Sequence, residues 1–209
     1  MLFTERALWG AGLARIAGVD EVGVGPLAGP LVAAAVMLPC DVSIDGVRDS
    51  KLVPAARREA LDLLIRGVAV GIGIGVVEPD EVDRLNVYQA GLRAMARAVA
   101  SLPMVPEHVL VDARTIPDCP VRQTSVTDGD RTVYSIASAS IVAKVHRDRL
   151  MREMDGRYPG YGFARHSGYG TAEHLRALRT LGPCPIHRRS FAPVRNLLLN
   201  GEEREPRTR

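Results

Sequence analysis

The sequence predicts an α/β fold: a mixed sheet flanked by helices, with a C-terminal helical extension. Three observations carry this. Two short apolar runs, Arg15–Glu21 and Leu31–Leu38, stand near the start, joined by a glycine turn. After them, strand-like and helix-like segments alternate, the pattern of a sheet covered by helices. From Tyr158 onward only Gly/Tyr/Pro loops and short helical patterns remain.

Each element follows from local pattern. Asp49-Ser50-Lys51-Leu52 leads into a helix over Pro54–Ile65, with Pro at its first turn. Val68–Val77 alternates Val/Ile with Ala/Gly and reads as a third strand whose small residues accept a close helix. Glu81–Ser101 carries Leu85, Leu92, Met95 and Val99 at helical spacing. Val109–Asp112 is a short buried strand ending on a carboxylate, and Val121–Val126 a weaker one. Residues 132–155 form a long helix with Ile136, Ala139, Ala143 and Leu150 on one apolar stripe. A short helix over Thr171–Leu181 and a last one over Phe191–Leu199 follow, separated by Pro183-Cys184-Pro185. The expected organisation is a main domain over residues 1–156, a helical extension over 157–200 and a disordered polar tail over 201–209.

A chain of 209 residues supports one domain with a substantial core. Its 46% apolar content and a mean hydropathy of +0.02 suit a globular protein. No apolar stretch spans a bilayer, and Met1–Arg6 is not a secretory signal, so a cytoplasmic protein without a membrane partner is expected. Cys40, Cys119 and Cys184 form neither a disulfide framework nor a CxxC site. Charge is lopsided: residues 1–143 hold 13 basic and 17 acidic side chains, residues 144–209 hold 14 and 7. A basic C-terminal part suits a polyanion held over an acidic site, although a solvated basic helix gives the same balance. Only two basic residues, Lys51 and Lys144, are lysines. A lysine kept among arginines suggests a site needing a compact ammonium.

The densest motif is Gly18-Val19-Asp20-Glu21-Val22-Gly23-Val24-Gly25-Pro26-Leu27-Ala28-Gly29. Two carboxylates end a strand together, which costs energy unless a cation joins them, and hard divalent ions do so through oxygen ligands. Asp112 ends another strand and can approach Asp20 in one sheet. Asp130 precedes the long helix, where it either caps the helix or faces the carboxylates; Asp128 is a rival for both roles. Converging carboxylates of this kind hold two ions roughly 3.5–4 Å apart. The glycines, spaced GxGxxxG with Pro26 where a helix would open, do not fit a dinucleotide-binding turn.

Together with Asp49-Ser50-Lys51-Leu52, the Ser135–Val145 run, Tyr158–Phe163, His166-Ser167-Gly168-Tyr169-Gly170-Thr171 and Gly182–Val194, this motif resembles the ribonuclease HII family from about Arg15 to Leu198. The resemblance implies a ribonuclease-H-like fold, with 1–156 as catalytic domain and 157–200 as substrate-binding extension. It implies an Mg²⁺- or Mn²⁺-dependent endonuclease that uses two divalent ions. Its substrates would be the RNA strand of RNA–DNA hybrids and DNA containing ribonucleotides, cut on their 5′ side, leaving a 3′-hydroxyl and a 5′-phosphate. Asp20, Glu21, Asp112 and Asp130 map onto the family's metal-binding carboxylates. Gly23, Val24 and Gly25 map onto its 2′-hydroxyl-reading turn, with Val24 where the family carries arginine. Tyr169 maps onto its junction-stacking tyrosine. Lys51, Ser140, Lys144, His187 and Arg188 would contact phosphates, with Arg189 beside them. A monomer is expected. A resolvase-like nuclease of the same fold, or a hybrid-binding protein with catalysis impaired by Val24, are the alternatives.

Overall fold

The computed structural model describes the main chain of residues 1–202 and side chains through 199. Helix α1 (Phe3–Gly10) precedes a hairpin of β1 (Ile16–Val22) and β2 (Leu31–Met37), and a one-turn 3-10 helix at Ser50–Leu52 leads to α2 (Ala55–Val68). Then come β3 (Gly71–Val77), α3 (Pro79–Leu85), α4 (Val87–Ala100), β4 (His108–Asp112) and β5 (Gln123–Val126). A four-residue turn of helix, α5 (Gly129–Thr132), opens onto the long α6 (Tyr134–Arg157). The C-terminal part holds α7 (Phe163–His166), α8 (Ala172–Leu181) and α9 (Ala192–Glu202).

The sheet is mixed, as the sequence predicts, with order β3-β2-β1-β4-β5. β1–β2 and β2–β3 pair antiparallel, while β1–β4 and β4–β5 pair parallel. Alternation along β2 serves two cores. Val32, Ala34 and Val36 pack with α2 and α6 through Leu61, Ile65, Ala137 and Ile141. Leu31, Ala33 and Ala35 pack with α4 through Ala90, Ala94, Met95 and Ala98. A strand buried on both faces reads as a continuous apolar run, which is what Leu31–Met37 is.

Helices approach this sheet at glycines. A Cβ on Gly18 of β1 would lie 2.1 Å from the Ser135 carbonyl carbon and 2.4 Å from the Ile136 nitrogen of α6. On β3, Cβ atoms at Gly73 and Gly75 would each lie 2.0 Å from a carbonyl oxygen of α4. The small residues of this strand do accept a close helix, and the strand is shorter than expected because α2 runs on through Val68.

Three other expectations need correction. The helix over Glu81–Ser101 is two helices, because Asn86 has φ +67° and its side chain caps α4 at the Tyr88 and Gln89 amides, 3.0 and 3.1 Å away. The loop from Tyr158 to Gly170 contains α7. The tail starts later than expected, since Gly201 and Glu202 belong to α9; the rest of it lies outside the described residues. Helix α1 was not foreseen. It is held by buried Glu5, whose Oε1 accepts from the Ser135 amide and hydroxyl at 2.8 and 2.9 Å.

The C-terminal part docks on the turn between β1 and β2. Leu27 N donates to Gly168 O, Gly29 N to Ile186 O and Arg188 N to Leu27 O, at 2.9, 2.9 and 2.8 Å. Apolar contacts reinforce them, Ala28 with Met151, Tyr161, Phe163 and Ile186, and Leu27 with Leu178 and Val194.

Gly18→Ala is expected to destabilise by about 1–3 kcal/mol, because the obstructing atoms are backbone and cannot yield. Gly67→Ala, in α2 with open space around its Cβ, is expected to stabilise by about 0.5–1 kcal/mol. Urea midpoints of the two variants, moving in opposite directions, check the pair.

Candidate active site

The four carboxylates are delivered by three elements. Asp20 and Glu21 lie near the end of β1, and Asp112 ends the parallel neighbour β4, whose Val111 pairs with Val19. Strand alternation sends the Asp20 and Glu21 side chains to opposite faces. Asp20 turns toward α6, where the Ser140 hydroxyl meets it, and Glu21 toward the α4 side, where Arg114 meets it. The third element is α5. Asp128 takes the left-handed conformation, φ +51°, and turns the chain so that Asp130 is buried while its own side chain is exposed and caps nothing. The geometry brings Asp130, not Asp128, to the cluster, and caps neither α5 nor α6 with it. Gly129 allows this fit: its amide donates to Asp112 Oδ1 at 2.7 Å, and a Cβ there would lie 2.6 Å from Ile136 Cδ1.

Cationic side chains meet the cluster at two points. Arg114 pairs with Glu21 at 3.1 Å and lies over the Tyr88 ring, and Lys51 Nζ stands 3.3 Å from Asp130 Oδ2. The Asp49 carboxylate fixes the Lys51 turn by accepting the Lys51 amide at 2.9 Å. Arg114 escaped the sequence reading. Its signal is a basic residue two places after a strand-end carboxylate, brought round by Ala113 at φ +49°.

Burial and like charge push Asp20, Glu21 and Asp112 up. Burial raises Asp20 well above the carboxylate range, with Glu21 and Asp112 adding to it and Ser140 opposing. Burial also raises Glu21, against the pull of Arg114, and raises Asp112, against the Gly129 amide. Among the described residues no three acidic, histidine or cysteine side chains already surround a common point at ligating distance. Their chemistry nevertheless suits a hard divalent ion: the donors are all oxygen, burial and like charge raise three of them, and the buried Glu21 Oε2 has no partner among the described residues.

The remaining residues divide. Gly23 and Gly25 flank Val24 in the turn, Gly23 at φ +95° and Gly25 exposed. Val24 packs back toward the α4-side core. The Tyr169 ring, 43% exposed, lies beside the turn; its Cε1 is 3.5 Å from where a Gly25 Cβ would be. Ser140 and Lys144 share a face of α6, but Ser140 is buried with its hydroxyl also hydrogen-bonded to Ser50 Oγ at 2.8 Å, and Lys144 pairs with Asp148 at 2.6 Å. His187 and Arg188 correct the expected phosphate patch: both are buried, and only Arg189 of the run is exposed. His187 Nδ1 accepts the Cys184 amide at 2.9 Å and its Nε2 meets His174 Nε2 at 3.0 Å. Burial and His174 push His187 down to about 4, so it is neutral at neutral pH. The apolar hollow between α4 and the 116–121 loop, about 320 Å³, is lined by none of these residues.

The mixed sheet, with carboxylates at the ends of its adjacent parallel strands β1 and β4, is that of a ribonuclease-H-like fold. Comparison narrows the class. The sequence model of the family described as Ribonuclease HII matches residues 17–194, so the chain belongs to the ribonuclease HII family, a family of endoribonucleases. It is 55% identical to a ribonuclease HII of Geobacillus kaustophilus over 95% of this chain and 76% of that one. Among solved structures it is similar to the ribonuclease H2 of Pyrococcus horikoshii, with TM-score 0.76 and 25% identity over 90% of this chain and 99% of that one. Bst-RNase HIII in complex with Mn²⁺ shares the fold at TM-score 0.62 and 19% identity, over 91% of this chain and 71% of that one.

The raised Asp20 has a measurable consequence. A group raised on folding contributes stability that is fully present below the unfolded carboxyl range and is lost as pH rises through the folded value. With chelator at about pH 8, Asp20→Asn is therefore expected to melt higher than wild type by roughly 2–4 °C, what about 1 kcal/mol gives in a chain of this size. Near pH 3 Asp20 is protonated in both states, so the difference should vanish. Calorimetry at both pH values checks this.

Proposed function

We propose that this chain hydrolyses the RNA strand of RNA–DNA hybrids and cuts on the 5′ side of ribonucleotides embedded in duplex DNA. The observation that carries the proposal is the placing of Asp20, Glu21, Asp112 and Asp130 beside a glycine turn and an exposed tyrosine. Water attacks phosphorus in line, the bond to the 3′-oxygen breaks, and the products are a 3′-hydroxyl and a 5′-phosphate. Two divalent ions, Mg²⁺ or Mn²⁺, held by the four carboxylates would take up charge on the attacking and leaving oxygens.

The chain's own residues do the rest. Gly23, Val24 and Gly25 present main-chain amides to the 2′-hydroxyl, the group that tells RNA from DNA. The Gly23 conformation, φ +95°, is one that side chains disfavour, and the exposed Gly25 leaves room for a sugar to approach. Tyr169 offers its ring for stacking, worth about 1–3 kcal/mol per base. Lys51 is 79% exposed at its side chain and faces a phosphate near Asp130 as a point charge. Val24 contributes its backbone but no guanidinium. The protein works as a monomer in the cytoplasm. Among the described residues no helix is long and apolar enough to cross a membrane.

The test is cleavage of a duplex with one ribonucleotide, an RNA–DNA hybrid and an all-DNA control, each with Mg²⁺, Mn²⁺ or chelator. Ion-dependent cutting of the first two and not the third is expected. Asp20→Asn should lose activity on the order of 10²–10³-fold, as for one preorganised electrostatic group. Equal cutting of all-DNA duplex would favour a resolvase, and binding without turnover would sink the enzymatic reading.

A further inference from the structure

Arg147 and Arg188 are the two largest fully buried side chains described, and both donate only to main-chain carbonyls. Arg147, from the middle of α6, donates Nε to Pro30 O at 2.9 Å, Nη2 to Ala28 O at 3.2 Å and Nη1 to Ser167 O at 2.9 Å. Arg188 donates Nε and Nη2 to Gly29 O at 3.0 and 2.9 Å, and Nη1 to Val24 O at 3.3 Å. Among the described residues neither guanidinium forms an ion pair with a carboxylate. Burying a charge without a counter-charge is costly, so two such charges under one turn call for a reason.

The carbonyls they hold give that reason. Ala28, Gly29, Pro30 and Val24 belong to the glycine turn, while Ser167 lies two residues before Tyr169, held at φ +48°. Arg147 is thus one rigid fork with two prongs in the turn and one in the tyrosine loop. The turn is shaped around it: a Cβ on Gly23 would lie 2.4 Å from Arg147 Nε and 2.9 Å from its Cδ. Turn and loop also touch directly, since a Cβ on Gly168 would lie 2.3 Å from Ala28 O. Burial lowers Arg147 to about 10, and burial with the nearby Arg147 charge lowers Arg188 to about 9, so both remain positive at neutral pH.

We propose that Arg147 is a positioning residue for ribonucleotide recognition, clamping the Gly23–Gly25 turn to the Tyr169 loop so that the amides meet the ribose while the ring stacks at the same junction, with Arg188 bracing the turn from its other side. This rests on the reading of the turn and Tyr169 given under the proposed function. The clamp matters most where a single ribose must be found. In a hybrid, a substrate that slips by one nucleotide still presents a 2′-hydroxyl. In a duplex with one ribonucleotide it does not, and a misplacement of about 1 Å can cost 10²-fold in rate.

The experiment compares kcat and KM on the single-ribonucleotide duplex and on the hybrid for wild type, Arg147→Lys, Arg147→Met and Tyr169→Ala, with a melting curve for each. Lysine keeps the charge but not the fork. Methionine keeps an unbranched chain in the slot beside Met151 and removes the buried charge, which guards against a lysine variant that does not fold. Both Arg147 variants are expected to lose roughly ten- to a hundredfold in kcat on the single ribonucleotide, with KM within about threefold and hybrid cleavage reduced far less. Equal losses on both substrates, following the melting temperature, would show that Arg147 serves the fold alone and would overturn the proposal. Tyr169→Ala separates the two layers. If it lowers the single-ribonucleotide to hybrid ratio while the Arg147 variants do not, recognition by Tyr169 stands and the clamp falls. If it leaves the ratio unchanged, the recognition reading fails and the clamp fails with it.

Discussion

The main chain of α6 lies against the main chain of β1 with no side chain between them, at Gly18. From that contact the placement of the site follows. It fixes Ser140 of α6 beside Asp20, two residues along β1 from the contact. It fixes the start of α6, and therefore α5 and Asp130 immediately before it. It also places Arg147, three turns further along α6, beneath the glycine turn that leaves β1. Helix and strand are both rigid, so one close approach sets positions on either side of the active site.

The site illustrates what a nucleic-acid enzyme tolerates inside a stable fold. Carboxylates are gathered where burial and mutual repulsion oppose their ionisation, and Arg114 and Lys51 offset part of that cost. The guanidiniums beneath the turn are a mirror image: buried positive charge whose hydrogen bonds all go to main-chain carbonyls, with the Phe191 ring beneath Arg188.

Much of this was legible in the sequence. Asp20, Glu21 and Asp112 each end an apolar run, and strand ends in neighbouring strands meet in space. The resemblance supplied Tyr169 and the turn. What stayed hidden had physical reasons. The apolar spacing of Leu85, Leu92, Met95 and Val99 continues across Asn86, so a break made by one left-handed residue leaves no trace in periodicity. Helix α1 depends on a bond from Glu5 to Ser135, 130 residues away. Arg147, Arg188 and Arg114 were masked by composition, because nearly every basic residue here is arginine and charge alone does not reveal burial. His187 and Arg188 sat in a basic run that suggested a surface, yet the bridge between Ala28 and His187 draws that run inward.

That bridge has a temporal side. Arg188 holds Gly29 and Val24 across 159 and 164 residues of chain. At a synthesis rate of about 5–20 residues per second, roughly 10–30 s separate the synthesis of the turn from that of Arg188. The sheet and α6 have all their sequence before that, whereas the proposed substrate-reading surface does not. A nascent chain of this protein can therefore acquire its carboxylate cluster first and the proposed capacity to discriminate between sugars last, when the contacts of longest sequence separation close.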